Sequence, residues 1–211
     1  MVKLHFSRGG KNFERKIQTM TLYLFIDVET TGLNFEKGNS KPRKNRMLQL
    51  AYKLYDEQIQ TEYSSGNFFV KYTDAELEQI HNEMDKYVLN MHTSTGLLEN
   101  LKTSNTTSLE DIDDHLYELL EQYPGHRYSL AGNNAQFDYE VVRRHLPKTA
   151  SKLHHSLFDV SSIRRIFSTI GSDFGEKTKA QKASNHDALV DIEECVKELK
   201  TYQDVIKKAI N

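Results

Sequence analysis

No excess of positive charge marks this chain of 211 residues: 28 Lys and Arg stand against 30 Asp and Glu, a formal net charge of −2. A globally basic surface is excluded, so any contact with a polyanion has to come from local patches or from bound metal. With Cys195 as the only cysteine, no intramolecular disulfide framework can form. It falls in a strongly helical stretch and reads as a small, inert core residue, in keeping with a reducing, intracellular setting such as the cytoplasm. No apolar run approaches the length of a membrane span. The strongest, Leu22 to Ile26, ends at Asp27 and reads as a buried strand. The first nineteen residues carry Lys3, Arg8, Lys11, Arg15 and Lys16 against Glu14 and lack the apolar centre of a secretory signal. They read as a disordered basic arm, 1–19, or as sequence upstream of a true start at Met20, with a mitochondrial presequence as the alternative. Internal repeats and low-complexity segments are also missing, and the length suits one α/β domain, 20–211.

What is present alternates between two periods. Thr21 to Val28 is an apolar strand closed by Thr31-Gly32, and Asn34 to Arg46 reads as a polar, basic loop. Met47–Tyr55 and Tyr63–Val70 read as two more strands. From Asp74 to Met91 the residues Leu77, Ile80, Met84, Tyr87, Val88 and Met91 recur at helical steps. Ser108 caps a helix that Pro124-Gly125 ends, and Tyr128–Ala131 is a short strand. Phe137–Leu146 is a helix stopped by Pro147. A strand near Leu157 and Phe158 leads into a helix from Val160 to about Ile170. A last helix begins near Ser184 and runs to the C-terminus through Leu189, Ile192, Val196 and Leu199. Strands first and helices interleaved afterwards predict a mixed sheet flanked by helices.

Three segments carry chemistry. In a strand, residues two apart share a face, so Asp27 and Glu29 project together while Leu24, Ile26 and Val28 take the other side. Two carboxylates at the end of an apolar strand repel one another and resist burial unless a divalent cation lies between them. The plain alternative is a strand end whose acids reach water. In Gly132-Asn133-Asn134-Ala135-Gln136-Phe137-Asp138 a strand enters a Gly/Asn turn, and Asp138 falls in the first turn of the next helix, where the dipole alone would favour it. In Ser184-Asn185-His186-Asp187-Ala188-Leu189-Val190-Asp191, Ser184 and Asp187 make a capping box. That gives Asp187 a structural task, sets Asp191 one turn further in, and leaves His186 at the helix start.

Asp-x-Glu on a strand, Asp at a strand-to-helix turn and His-x-x-x-x-Asp on a late helix, in that order, resemble the DEDDh exonucleases from Thr21 to about Tyr202. Met84-Asp85-Lys86-Tyr87, Met91 to Leu97 and Phe158-Asp159-Val160-Ser161 are similar to the oligoribonucleases within that family. The resemblance implies a ribonuclease-H-like α/β fold and a 3′→5′ exoribonuclease that degrades short RNA to nucleoside 5′-monophosphates. Longer single-stranded RNA or DNA is the alternative substrate, and a catalytically inactive nucleic-acid-binding protein is the alternative function. It further implies two Mg²⁺ or Mn²⁺ ions on Asp27, Glu29, Asp138 and Asp191, with His186 as general base, a role that suits an imidazole of pKa about 6.5. Homodimerisation is implied as well.

The same resemblance places substrate on Leu33, Tyr87, His92, Asn134 and Ser161. Tyr87 stands where the family has tryptophan, and packing into the core is the competing reading for Leu33, Tyr87 and Met84. Three further family positions differ: Ser156 replaces an arginine, Asn134 a serine and His155 a partner-supplied tyrosine. Arg164, one turn beyond Ser161, is the candidate substitute charge. In the basic loop Lys37, Lys41, Arg43, Lys44 and Arg46 are candidate phosphate contacts, against a simply solvated loop.

Overall fold

A computed structural model describes residues 19–33, 45–103, 105–179 and 187–210. The basic arm lies outside the described residues apart from Thr19, and the basic loop apart from Asn45 and Arg46.

Among the described residues six strands form one mixed sheet: β1 (Thr21–Thr30), β2 (Met47–Tyr55), β3 (Glu62–Val70), β4 (Thr106–Thr107), β5 (Arg127–Gly132) and β6 (Phe158–Asp159). Their order is β4-β3-β2-β1-β5-β6. β1 is central, antiparallel to β2 and parallel to β5. Its strict alternation supplies both layers of the core. Leu22, Leu24, Ile26 and Val28 pack with residues of α4 (Leu109–Glu121) and α5 (Ala135–His145), among them Ile112, Leu116 and Val141. Phe25 faces the other way, onto Ile192, Cys195 and Leu199 of α9 (Ala188–Ile210) and Val160 of α7 (Val160–Thr169). Each such aliphatic side chain taken out of water contributes about 1.5–3 kcal/mol, which ties the strand register to its face.

The helices α1 (Asp74–Glu83), α2 (Lys86–Ser94) and α3 (Leu97–Asn100) close a third cluster over Leu48 of β2, with Ile80, Met84 and Leu97 inside it. The single helical run expected from Asp74 to Met91 is two helices. Met84 turns extended at ψ 138, and the Asp85 carboxylate accepts the Val88 N–H at 2.9 Å, so a side-chain cap starts α2 while the apolar stripe runs on.

Pro147 likewise begins a helix, α6 (Pro147–Lys152), as well as ending one. Proline suits the first helical position, where its missing N–H has no partner to lose. Buried Asp113 of α4 accepts the N–H groups of Lys148 at 2.9 Å and Thr149 at 2.8 Å, capping α6 from a neighbouring helix. α3, β4 and α8 (Phe174–Lys179) are too short to have left a periodic signal.

Candidate active site

The alternation that buries Leu24, Ile26 and Val28 carries Phe25, Asp27 and Glu29 along the face that meets α9. Asp191 lies in the first turn of that helix. One carboxylate oxygen from each of Asp27, Glu29 and Asp191 falls within 4.8 Å of the other two. Asp187, four residues earlier, turns its carboxylate to the helix: Oδ1 accepts the N–H groups of Leu189 at 3.0 Å and Val190 at 3.2 Å. It has the capping task read from the sequence, while Ser184, the other half of that box, lies outside the described residues. Directly after Glu29 the pairing of β1 with β2 shifts register before resuming at Thr30 and Met47, a bulge at the end of the stretch that carries both acids.

The fourth acid arrives from the opposite layer. β5 pairs with β1 only as far as Phe25, leaving the next backbone donors of β1 to other partners. Asn134, in the left-handed region at φ 58 and ψ 42, swings the chain into α5 and places Asp138 in its first turn. Asp138 is buried, and its Oδ1 accepts the Val28 N–H at 3.1 Å. The acid is therefore held between Asp27 and Glu29, though it is not one of the three whose oxygens converge.

Charge accumulates faster than the site can tolerate. Burial pushes Glu29 up to about 9, and the carboxylates of Asp27, Asp191 and Asp187 add to the rise. Asp138 is pushed up by its own burial and then by Asp27, against the opposing Val28 N–H. Carboxylates crowded in this way cannot all ionise on their own, and a divalent cation removes the penalty. The three converging donors are all carboxylate oxygens, a set that fits hard cations.

Exposure decides the two apolar candidates. Leu33 is 67% and Tyr87 72% exposed, so neither is a core residue, whereas Met84 at 7% is. Asn134 and Ser161 meet: the Asn134 N–H donates to Ser161 Oγ at 3.0 Å and to Asp159 Oδ1 at 3.1 Å. His186 lies outside the described residues, as do Lys37, Lys41, Arg43 and Lys44 of the loop. Arg46 is engaged, with Nε 3.2 Å from Glu83 Oε2.

Two expected substrate contacts have other occupations. His92 is 0% exposed, with Nε2 2.8 Å from the Thr30 carbonyl oxygen and Nδ1 3.9 Å from Glu29 Oε2. Its ring lies against the end of β1, shut off from solvent. Arg164 donates from Nε to Glu198 Oε1 at 2.8 Å and from Nη2 to Glu198 Oε2 at 2.9 Å, and Nη2 also reaches Asn133 Oδ1 at 3.2 Å. Glu198 is buried and accepts from the Tyr202 hydroxyl at 2.6 Å as well. The guanidinium is thus spent on neutralising an internal acid. Its signal was an acid set within the apolar stripe of α9. Beside this pair a cavity of about 240 Å³ opens between the sheet and α9, lined by Asp27, Asn133, Arg164, Lys179, Asp191 and Cys195, among others.

The exonuclease family model RNase_T matches residues 24–199. The chain belongs to this exonuclease family. An oligoribonuclease of Corynebacterium diphtheriae is 31% identical to this exonuclease over 182 residues, 85% of this chain and 80% of that protein. A mitochondrial oligoribonuclease of Homo sapiens is 26% identical over 189 residues, 89% of this chain and 75% of its relative. Among solved structures, E. coli exonuclease I in complex with a 5cy-dT13 oligonucleotide matches with a TM-score of 0.61 at 19% identity, over 87% of this chain and 40% of that one. The nuclease domain of 3′hExo, a DEDDh family member, bound to rAMP, matches with a TM-score of 0.55 at 12% identity, over 89% and 94% of the two chains. At those identities the likeness concerns the fold, and it is the ribonuclease-H-like α/β fold expected from the sequence.

Proposed function

We propose that this exonuclease is an oligoribonuclease-like enzyme that removes nucleoside 5′-monophosphates one at a time from the 3′ ends of short single-stranded RNA. The observation that carries the reading is the convergence of Asp27, Glu29 and Asp191 within 4.8 Å, with Asp138 bonded to the strand between the first two. Its relatives named oligoribonuclease, bacterial and mitochondrial, support the substrate class. The reading takes the working form to be a homodimer in the cytoplasm, with the mitochondrion, named for two of the relatives, as the second compartment.

Asp27, Glu29, Asp138 and Asp191 would hold two Mg²⁺ or Mn²⁺ ions, whose chemistry is to clamp the attacking and leaving oxygens of an in-line displacement. Leu33, exposed at the end of the turn after Glu29, offers an apolar surface to the terminal base. Tyr87 offers a ring for stacking, worth about 1–3 kcal/mol per base in comparable sites. Asn134 and Ser161, which meet through the Asn134 N–H, would take the next phosphate. His186 takes a proton from the attacking water. The new bond joins that oxygen to phosphorus, and the bond from phosphorus to the 3′ oxygen of the shortened strand breaks. That 3′ oxygen takes up a proton, from solvent or back from His186, and the terminal nucleotide leaves with its 5′ phosphate.

A time course on 5′-labelled RNA of graded length, starting from the dinucleotide, tests this, with single-stranded DNA of matched lengths alongside. The expected result is a ladder shortening from the 3′ end, fastest on short RNA, stopped by EDTA and restored by Mg²⁺ or Mn²⁺. Hydrolysis that survives EDTA, or full rate in Asp27→Asn, would overturn it. A preference for long DNA would shift the substrate to the alternative class.

A further inference from the structure

The turn after Glu29 is bonded from three directions. The Gly32 carbonyl accepts two donors, the Thr30 hydroxyl at 2.6 Å and the Asn45 side-chain amide at 2.6 Å. The Thr31 N–H donates to the Arg46 carbonyl at 3.0 Å, and the Arg46 N–H returns a bond to the Thr31 hydroxyl at 3.0 Å. Asn45 is buried at 5% exposure, and its own carbonyl lies 3.0 Å from Nε2 of His145. A carbonyl can only accept, so Nε2 of that imidazole carries the proton. His145 is the last residue of α5, the helix that brings in Asp138. A chain of contacts therefore runs from α5 through Asn45 to Gly32, and the next residue is exposed Leu33.

We infer that Asn45 and His145 are positioning residues for the terminal nucleotide, holding the Thr30–Leu33 turn so that Leu33 is presented at a fixed place beside the acids. The inference rests on the proposed role of Leu33 against the terminal base. Both lone pairs of the Gly32 carbonyl are occupied, which fixes the direction in which the chain leaves that residue. Asp27 and Glu29 are held independently, by pairing of β1 with β2 and by the bond from Val28 to Asp138. Loosening the turn should therefore weaken the hold on substrate while leaving the chemical step in place.

The test is a set of full-chain variants: Asn45→Ala, Asn45→Asp, His145→Ala, His145→Gln, Leu33→Ala, and Asn45→Ala combined with Leu33→Ala. Each is measured for kcat and KM on short RNA, for binding of the same RNA with Ca²⁺ in place of the working metal, and for Tm. Asn45→Asp keeps the shape and loses the donor, and His145→Gln keeps an N–H able to reach the carbonyl. Asn45→Ala and Asn45→Asp should raise KM and the RNA Kd about 3–10-fold, the usual net worth of one hydrogen bond, with kcat within about twofold of wild type. His145→Gln should recover most of what His145→Ala loses. In the combined variant the loss should be no larger than for Leu33→Ala alone, because Asn45 acts through Leu33. Independent multiplication of the two losses, an unchanged KM in Asn45→Ala, or a fall in kcat with KM intact would overturn the inference and leave the exonuclease reading standing. A wild-type chain without 3′-end hydrolysis would overturn both.

Discussion

Asp138 and Val28 are 110 residues apart in sequence, and the carboxylate of one accepts the backbone N–H of the other at 3.1 Å. One acid of the site is thus built into the strand that carries two more, and it does so as an acceptor. An amide oxygen can take its place. Asp138→Asn is expected to fold normally and to lose activity by at least about 100-fold, the upper range for disturbing a metal ligand's surroundings. With one acid fewer in the crowd, its metal-free Tm should rise above wild type, as happens where a functional site costs stability. Differential scanning fluorimetry in EDTA with a parallel activity assay checks both halves. A lower metal-free Tm would show that the carboxylate stabilises this site.

Glu29 links the site to pH. Its folded-state pKa is raised from the ordinary 4.5 to about 9, by burial first and then by Asp27, Asp191 and Asp187. Between those two values the folded protein binds more protons than the unfolded chain, so stability falls as pH rises. The metal-free Tm should drop steadily between about pH 5 and about pH 9, and Glu29→Gln should flatten the drop. Added Mg²⁺ or Mn²⁺ should raise Tm most at the alkaline end, where the cation has no proton to displace. A metal-free Tm that climbs over the same window would contradict the assignment.

Arg164 and Glu198 are a buried pair, the acid 1% and the arginine 12% exposed at their side chains. Removing one partner leaves an uncompensated internal charge, at a cost of about 3–5 kcal/mol. Urea unfolding of Arg164→Ala should show a loss of that size, while Arg164→Met with Glu198→Met should recover most of it. An unchanged unfolding midpoint in Arg164→Ala, together with a raised KM for RNA, would return Arg164 to the phosphate role read from the sequence.

Asp187 and Asp191 share a helix start and differ in employment. Asp187 caps backbone donors, a task asparagine performs equally well, so Asp187→Asn should keep activity within a few-fold of wild type. Asp191→Asn removes the negative charge of one of the three converging carboxylates and should abolish detectable turnover. Equal losses in side-by-side turnover assays would mean that Asp187 belongs to the acidic cluster as well.

Much of this site was legible because β1 obeys a period of two: once Leu24, Ile26 and Val28 are inside, Asp27 and Glu29 have only one direction left. Capping chemistry separated Asp187 from Asp191 in the same local way. What escaped was settled over long sequence distances. Nothing around His92 signals that its ring would lie beneath Thr30, nor does Asn45 advertise the Gly32 carbonyl. Arg164 looked available because its partner is 34 residues away, although Glu198, an acid among Ile192, Cys195, Leu199 and Tyr202, could have prompted a search for a buried cation. The break at Asp85 was missed for the opposite reason: the apolar period is continuous there, and a single cap overrode it.

Cys195 is the sole thiol in the chain, and it sits one helical turn behind Asp191 with 3% exposure, lining the cavity beside the acids. At that exposure a thiol reagent reaches it slowly, and faster whenever α9 parts from the sheet. The rate of its modification is therefore a clock for that opening, readable in the wild-type protein with no label engineered in. Because α9 bears Asp191, the same clock should slow when a divalent ion braces the helix against β1, giving a measure of metal occupancy that needs no substrate and no turnover.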